Sequence, residues 1–414
     1  MADRLTEPPD TWPSDYQGWS QSLAVGAPGI ALLHAERAVA GAGPWHTAHV
    51  WLRRATREHL ATGASAGLFF GAPALALAAH TAAAGPGMCR RAAHALDRQL
   101  ATLTHRRVDR ACERIRHGAL PTFAEYDVIT GLTGLGALHL LRHPHGDPLQ
   151  RVLSYLVRLT QPLPTGDGTV PGWWTEHAPI RERSHHFPGG HANLGLAHGI
   201  TGPLALLSLA LRQGITVDGH TEGITRICSW LDTWRQDHPS GPWWPQWITR
   251  AEHLSNRTHQ PRPLRPSWCY GTPGIGRALQ LAALATGDRS RQHTAEQAVL
   301  GCLTDPAQLA QITDPGLCHG AAGLLHTVRH IAAEAITPGL ANHLPALSDK
   351  LLRLSAPKVL SAPKAPAVRW DRTRGLLEGE AGRALALCAT ATGAPLTAWD
   401  SCLLIASGTE TAAQ

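Results

Sequence analysis

The chain carries little charge and almost no lysine. Asp, Glu, Lys and Arg make up 16% of its 414 residues, whereas hydrophobic residues make up 43%. Disorder needs low hydrophobicity and high net charge, so this composition predicts a folded protein. Only three of the 37 basic residues are lysines, and the arginines are scattered rather than gathered in a stripe. We therefore expect no nucleic-acid partner, and the net charge of +6 favours an acidic peptide only weakly.

The first residues, MADRLTEPPDTWPSD, lack the basic patch and the apolar run of a secretory signal peptide. We therefore expect a cytoplasmic protein whose eight cysteines are reduced. Residues 59–89 lack Asp, Glu, Lys and Arg altogether, as a membrane span would. Alanine is the most frequent residue of the segment, and glycines and prolines interrupt it, so one copy of an internal repeat accounts for it better.

A Gly-x-x-Gly pair followed by an apolar helical pattern recurs seven times along the chain. The first glycines of the copies are Gly26, Gly71, Gly131, Gly199, Gly271, Gly320 and Gly379. In the second copy Ala74 replaces the closing glycine. The shorter spacings between copies, about 45 to 50 residues, suit a hairpin of two helices, and the longer ones leave room for small insertions. We predict a single domain over residues 1–414.

No stretch alternates between apolar and polar residues, so we predict an all-α protein. Glycine lacks a Cβ atom, and helix ends that carry it can approach one another closely. Seven such helices in one phase predict an α/α toroid, a double ring of about seven inner and seven outer helices around a central cup. Residues 355–368, which contain a doubled SAPK, are predicted to form an exposed linker before the last repeat.

Two of the cysteines occupy equivalent positions in the repeat. Cys269 and Cys318 each stand two residues before a first glycine, and His319 directly follows Cys318. Neighbouring residues inside a helix face different ways, so Cys318 and His319 could share a metal only in a turn or at a helix start. Gly320, which follows them, supplies such a place. Two thiolates and one imidazole with an open fourth position are typical of a catalytic zinc site.

Two further polar residues follow the same phase. His198 immediately precedes Gly199, the position that Tyr270 and His319 occupy in their own repeats. Asp127 lies four residues before Gly131. A lone histidine among 25 is ordinarily a surface or core residue, so His198 is singled out by its phase alone.

The sequence resembles the lanthionine synthetase C (LanC) family of cyclases over nearly the whole chain. The resemblance rests on three segments, NLGLAHG at 193–199, RPSWCYG at 265–271 and LCHGAAG at 317–323. It implies one zinc ion per chain, held by Cys269, Cys318 and His319. It also implies an acid/base pair, Asp127 and His198, and two residues near the zinc, Arg265 and Tyr270. The departures, Ala74 and the acidic Glu380 inside the last glycine pair, lie outside these three segments.

The resemblance implies a zinc-dependent lanthionine synthetase of the stand-alone class I type, because nothing in the chain resembles the dehydratase or kinase domains of larger fused enzymes. Such an enzyme adds a cysteine thiol of a dehydrated precursor peptide to dehydroalanine or dehydrobutyrine, which closes a (methyl)lanthionine thioether ring. Zinc coordination lowers the pKa of a thiol, about 8.5 when free, towards neutrality. A dehydratase and an ABC transporter are implied as partners in a biosynthetic complex, which would place the protein at the membrane periphery.

Within that chemistry His198 is the candidate acid that protonates the α-carbon of the enolate, because an imidazole has a pKa of about 6.5. Asp127 would orient His198 or help to deprotonate the entering thiol. Arg265 would stabilise the developing enolate charge. The sequence does not rank these roles.

Two other functions compete with this interpretation. Another zinc toroid enzyme that activates a thiol, such as a protein prenyltransferase β-subunit, would use a carboxylate, a cysteine and a histidine, whereas here Cys318 and His319 are adjacent. A non-catalytic relative that binds thiol peptides or glutathione as a scaffold would keep the zinc ligands but tolerate loss of His198 or Asp127. Both of these residues are present.

Overall fold

Each Gly-x-x-Gly pair lies at the start of an α-helix. The computed structural model describes residues 1–9, 18–83, 85, 90–166, 168–179, 187–356 and 372–407. In chain order its helices are α1 (Ala27–Val39), α2 (Trp45–Ala55), α3 (Ala72–Ala82), α4 (Arg90–Arg116), α5 (Phe123–Tyr126), α6 (Leu132–Arg142), α7 (Asp147–Leu159), α8 (Thr201–Arg212), α9 (His220–Trp234), α10 (Arg250–Ser255), α11 (Thr272–Thr286), α12 (Arg289–Thr304), α13 (Pro306–Ala310), α14 (Ala321–Ala333), α15 (Leu344–Ser355) and α16 (Glu380–Thr392). The glycine pairs precede or open α1, α3, α6, α8, α11, α14 and α16.

The turn before these helices explains the spacing of the glycines. Ahead of α11 the carbonyl of Ser267 accepts hydrogen bonds from both Gly271 N, at 3.1 Å, and Gly274 N, at 3.3 Å. A Cβ atom on Gly274 would lie 2.0 Å from the carbonyl oxygen of Trp268, which no side chain tolerates. The same clash with the carbonyl six residues earlier would arise at Gly29, Gly323 and Gly382. The repeat therefore encodes a turn of fixed backbone conformation. A residue just before the first glycine takes an equivalent position in several copies.

Amphipathic helices alternate with these apolar ones. The helix α7 buries Leu149, Val152, Leu153 and Leu156 on one face, as a period of 3.6 residues requires. After α16 the described residues contain the short 3-10 helix Trp399–Leu403 rather than a further amphipathic α-helix. Among the described helices, none is both long and apolar enough to cross a bilayer.

Four short strands interrupt the helices. β1 (Leu163–Thr165) pairs antiparallel with β2 (Gly168–Val170), and β3 (His191–Asn193) pairs antiparallel with β4 (Trp247–Thr249). In the second pair Asn193 lies opposite Trp247. Strands of three residues are too short to show alternation in the sequence. Of the predicted linker, only Ser355, the last residue of α15, and Ala356 are described, and 357–368 lie outside the described residues.

One compact unit consists of Met1–Leu100, Ile312–His326 and Asn342–Trp399. In it α1 packs against α2, α3 and α16, and α15 packs against α16. The buried rings of His34 and Trp51 both contact the carbonyl oxygen of Leu5, at 2.6 and 2.8 Å, which fixes the first 3-10 helix (Ala2–Leu5) against this core.

The other compact unit consists of Ala101–Gln311, Thr327–Ala341 and Asp400–Gln414. Here α11 packs against α8 and α12, α6 packs against α7 and α8, and α9 packs against α7 and α8. The unit contains the segments that carry Asp127, His198, Cys269 and Tyr270. The prediction of one domain over the whole chain stays a prediction.

Candidate functional site

Asp127 directly follows α5 and is fully buried at the turn that leads into α6. Its Oδ1 accepts hydrogen bonds from the Thr130 amide at 2.7 Å, the Thr130 hydroxyl at 3.0 Å and the Gly131 amide at 2.7 Å. These bonds tie the carboxylate to the turn that precedes α6, whose N-cap residue is Gly131. They hold the carboxylate in one orientation and leave Oδ2 to face His198.

His198 meets that second oxygen. Its Nδ1 lies 2.6 Å from Asp127 Oδ2, and because a carboxylate accepts, Nδ1 carries the proton and Nε2 remains for other chemistry. The His198 side chain is 26% exposed, whereas that of Asp127 is wholly buried. The imidazole therefore extends from a buried carboxylate towards solvent-accessible space, which is the geometry of a proton-transfer pair.

Phe123, which the sequence analysis missed, packs against three histidines. Its ring stacks on His198, with centroids 6.0 Å apart, and meets His177 and His191 edge-on at 4.6 and 5.3 Å. The Nε2 atom of His177 accepts a hydrogen bond from the Phe123 amide. The Nδ1 atom of the same ring lies 2.9 Å from the carbonyl oxygen of Ala178 and therefore carries the proton. Burial lowers the pKa of His191 to about 3. His191 is therefore neutral near pH 7.

Arg107 of α4 is a second residue that the sequence analysis missed. Its guanidinium donates to the carbonyl of Thr130, the residue whose amide and hydroxyl bind Asp127. Burial lowers the pKa of Arg107, and the negative charge of Asp127 raises it. Leu103 and Ala111, one turn to either side of Arg107, are buried. An arginine on the same face of an amphipathic helix as buried apolar residues was the feature of the sequence that could have identified it.

Ala197 joins three of the predicted segments through its main chain. Its carbonyl accepts from the amide of Val128, next to Asp127, at 3.1 Å, and its amide donates to the carbonyl of Cys269 at 3.3 Å. The residue after it is His198. These two hydrogen bonds join the backbone next to Asp127 and His198 to that of Cys269.

Cys269 is buried in the turn before α11, with its Sγ 3.8 Å from the Ser267 hydroxyl. Its neighbour Tyr270 lies near His198, with ring centroids 6.1 Å apart, and its hydroxyl is 3.2 Å from the amide nitrogen of Asn193. Arg265 is half-buried in the loop that leads into this turn, four residues before Cys269.

Cys318 and His319 lie in the turn before α14, as their adjacency requires. The Cys318 amide donates to the carbonyl of Leu377 at 2.8 Å, and His319 Nε2 lies 3.9 Å from Asp314 Oδ2. The other oxygen of Asp314 accepts from the amide of Gly316 at 3.0 Å, so this carboxylate also belongs to the turn.

Two sets of side chains among the described residues offer three metal-ligating atoms. The first consists of Cys318 and His319, in the turn before α14, and of Cys269, in the turn before α11. Two soft thiolates and an imidazole are donors that zinc prefers, and three protein ligands leave a fourth position for substrate. The residues therefore fit zinc.

The second set, His326, His330 and Asp400, was not predicted from the sequence. His330 Nε2 lies 2.8 Å from Asp400 Oδ2, and the ring of His326 stacks on Trp399 with centroids 4.7 Å apart. A buried hydrogen bond between a histidine and a carboxylate, together with a ring stack, explains why these side chains lie where they do as part of the packed core.

Comparisons with known proteins bear on the family and the fold of the chain. The model of the family described as "Lanthionine synthetase C-like protein" matches residues 17–404. The nisin biosynthesis protein NisC of Lactococcus lactis subsp. lactis is 25% identical over 205 residues, which are 49% of this chain and 48% of that protein, so the match spans about half the length of this curated relative. The solved structure of a nisin cyclase matches with a TM-score of 0.74 and 20% identity over 94% of this chain and 93% of that one. The predicted all-α class and α/α toroid fold are confirmed.

Proposed function

The chain belongs to the lanthionine synthetase C-like family, and on that premise we propose that it is a lanthipeptide cyclase. Its substrate would be a dehydrated precursor peptide that carries cysteine together with dehydroalanine or dehydrobutyrine. The observation that carries the proposal is the donor set of Cys269, Cys318 and His319, since two thiols and an imidazole suit an ion that activates a thiol.

Zinc held by these three residues would lower the pKa of a substrate thiol and keep its sulfur as a nucleophilic thiolate. The reaction is an intramolecular Michael addition. A bond forms between sulfur and the β-carbon, the carbon–carbon double bond breaks, and its electron pair moves onto the carbonyl as an enolate. The thiol gives up one proton and the α-carbon gains one, so the product is an isomer of the substrate.

His198 would supply the proton to the α-carbon from Nε2. Its Nδ1 is bound to Asp127, so the ring has one orientation and presents one nitrogen outward. Asp127 would stabilise the ring while the proton is exchanged, and its own orientation is fixed by the start of α6. Tyr270 and Arg265, on either side of Cys269 in the sequence, would stabilise charge that develops on the enolate oxygen.

A non-catalytic scaffold for thiol peptides or glutathione is the alternative. Such a protein needs the three zinc ligands but gains nothing from a buried carboxylate aligned on a partly exposed histidine. The 2.6 Å contact between Asp127 and His198 therefore favours the enzyme. As further proposals, the protein acts in the cytoplasm, and a dehydratase and an ABC transporter are its partners in a complex at the membrane.

Metal content together with cyclisation tests this function. The wild-type protein should contain about one zinc per chain by elemental analysis and should convert a peptide with one cysteine and one dehydroalanine into a product of equal mass that no longer reacts with a thiol-alkylating reagent. Cys318→Ala should lose the zinc and the activity together. Cys388→Ala, which changes a thiol outside the proposed ligand set, should keep both.

Folded wild-type protein without zinc would contradict the thiol-activation mechanism. A Cys318→Ala protein that retained one tightly bound zinc would show that the ligand assignment is wrong. Zinc without any cyclisation, across peptides of different ring size, would favour the scaffold.

A further inference from the structure

Asn193 is a fully buried residue at the end of β3 whose side chain makes two hydrogen bonds. Its Oδ1 accepts from the amide of Gly195 at 2.9 Å, and its Nδ2 lies 3.2 Å from the hydroxyl oxygen of Tyr270. Its backbone carbonyl accepts from the amide of Ile200 at 3.0 Å. Asn193 therefore spans the loop that carries His198 and contacts the turn that carries Cys269.

The amide of Gly195 determines which way the Asn193 side chain is turned. A backbone N–H can only donate, so the atom facing it must be the amide oxygen. The atom facing Tyr270 is then the NH2 group, which has no acceptor capacity. The hydroxyl oxygen of Tyr270 consequently accepts from Asn193, and the hydroxyl proton is directed at a different acceptor.

The surroundings hold Tyr270 against this donor. A Cβ atom on Gly195 would lie 2.5 Å from the carbonyl of Cys269 and 2.8 Å from the Tyr270 ring, so the loop and the tyrosine are in close contact. The indole of Trp247, opposite Asn193 in the β3–β4 pair, packs edge-on against Tyr270 with centroids 6.4 Å apart. Little freedom remains for the phenol except rotation of its O–H bond.

We propose that Asn193 is a positioning residue that makes Tyr270 a hydrogen-bond donor to the substrate. The acceptor would be the carbonyl oxygen of the dehydrated residue, which gains negative charge as the thiolate adds to the β-carbon. This inference rests on the proposed function only in naming the substrate carbonyl as the acceptor. The link between Asn193 and Tyr270 stands independently of it.

The sharpest variant is Asn193→Asp. A carboxylate still accepts from Gly195 but can no longer donate to Tyr270, so the phenol turns its proton towards residue 193. We expect zinc content to be unchanged and cyclisation to fall about tenfold to a hundredfold. Asn193→Ala removes the donor whatever the ionisation of the carboxyl group, and Asn342→Asp adds the same charge at an exposed position and should leave activity unchanged.

Two readouts separate positioning of Tyr270 from a structural role. The chain has four tyrosines, so 3-fluorotyrosine labelling gives few fluorine resonances, and Tyr270→Phe identifies the one that belongs to this residue. That resonance should shift in Asn193→Asp and in Asn193→Ala. In a Tyr270→Phe background, Asn193→Asp should cost less than about twofold, because the group that it positions is already absent.

An unchanged Tyr270 resonance in both Asn193 variants would overturn the proposal. So would an equal loss of activity from Asn193→Asp with and without the Tyr270 hydroxyl. The fluorine measurement needs no turnover. A wild-type protein that fails to cyclise peptides would therefore refute the proposed function while the resonance still reports on the Asn193–Tyr270 contact.

Discussion

Asp127 serves the fold and the site with a single carboxylate. One oxygen takes three hydrogen bonds from the first residues before α6, and the other is left for His198. A hydrogen bond of this kind contributes about 1 kcal/mol, so the same side chain both stabilises the turn before α6 and fixes the imidazole. A substitution at Asp127 therefore mixes loss of stability with loss of chemistry, whereas one at His198 does not.

We expect His198→Asn to keep the fold and the zinc but to slow ring closure by about 10² to 10⁴, the usual contribution of a general acid. The amide is too short to deliver a proton from the position of Nε2. Elemental analysis and the thiol-alkylation assay on the same sample measure both quantities. His117→Asn, at an exposed histidine, is the control. A variant at His198 with wild-type rates would remove this residue from the mechanism.

At the level of single residues, the sequence was informative where side chains follow the phase of the repeat. Cys269, Cys318, His319 and His198 all stand one or two residues before a first glycine, so their shared position could be read directly. Phe123 and Asn193 act through contacts between segments far apart in the chain, which no local pattern encodes. Arg107 left a weak signal, a charge on the buried side of α4.

The repeated turn and the helix after it form the element that builds the molecule. In most copies the turn folds the backbone so close to carbonyl groups that only glycine fits at the closing position, as the 2.0 Å approach at Gly274 illustrates, whereas the second copy has Ala74 there. The recurrence of the pair therefore predicted the helix starts well. The strands β3 and β4 were missed, because three-residue strands carry no periodicity, yet β3 is the element that places Asn193.

Gly274→Ala should destabilise the protein by about 1 to 3 kcal/mol, since the added methyl group forces the start of α11 away from the carbonyl of Trp268. Because Cys269 lies in the same turn, zinc should also be held less tightly. Urea unfolding and competition with a chelator measure the two effects. Gly63→Ala is a matched control, since a Cβ atom there meets nothing within 4 Å. Equal stability of the two variants would show that the turn relaxes freely.

At the scale of the whole molecule, buried charges connect parts of the chain that are remote in sequence. Fully buried Arg277 of α11 donates to Glu334 at 2.8 Å and to the carbonyl of Ile405, also at 2.8 Å, while Arg212 at the end of α8 binds the second oxygen of Glu334 at 2.5 Å. Burial would raise the pKa of Glu334, but hydrogen bonds from Arg212 and the charge of Arg277 lower it to about 2.

This network predicts a pH-dependent stability. A carboxyl group whose pKa falls from 4.5 to about 2 on folding stabilises the native state above pH 4.5, by roughly 3 kcal/mol, and loses that contribution as the pH falls towards 2. Glu334→Gln should therefore lower the free energy of unfolding at pH 7, and the deficit should shrink between pH 5 and pH 3. Urea unfolding at these pH values tests it, with exposed Glu222→Gln as the control. A deficit independent of pH would contradict the ion-pair explanation.

The two hydrogen bonds of Ala197 have a consequence for how such proteins can diverge. Both use main-chain atoms, so the spacing among the segments of Asp127, His198 and Cys269 depends on the backbone of residue 197, and its buried methyl group takes no part in these bonds. Insertions or deletions would disturb this spacing, because a different peptide group would then stand where Ala197 makes its two hydrogen bonds. Engineered chimaeras should therefore exchange the stretch from Asp127 to Cys269 as one block, and loop-length variation is best confined to segments outside it.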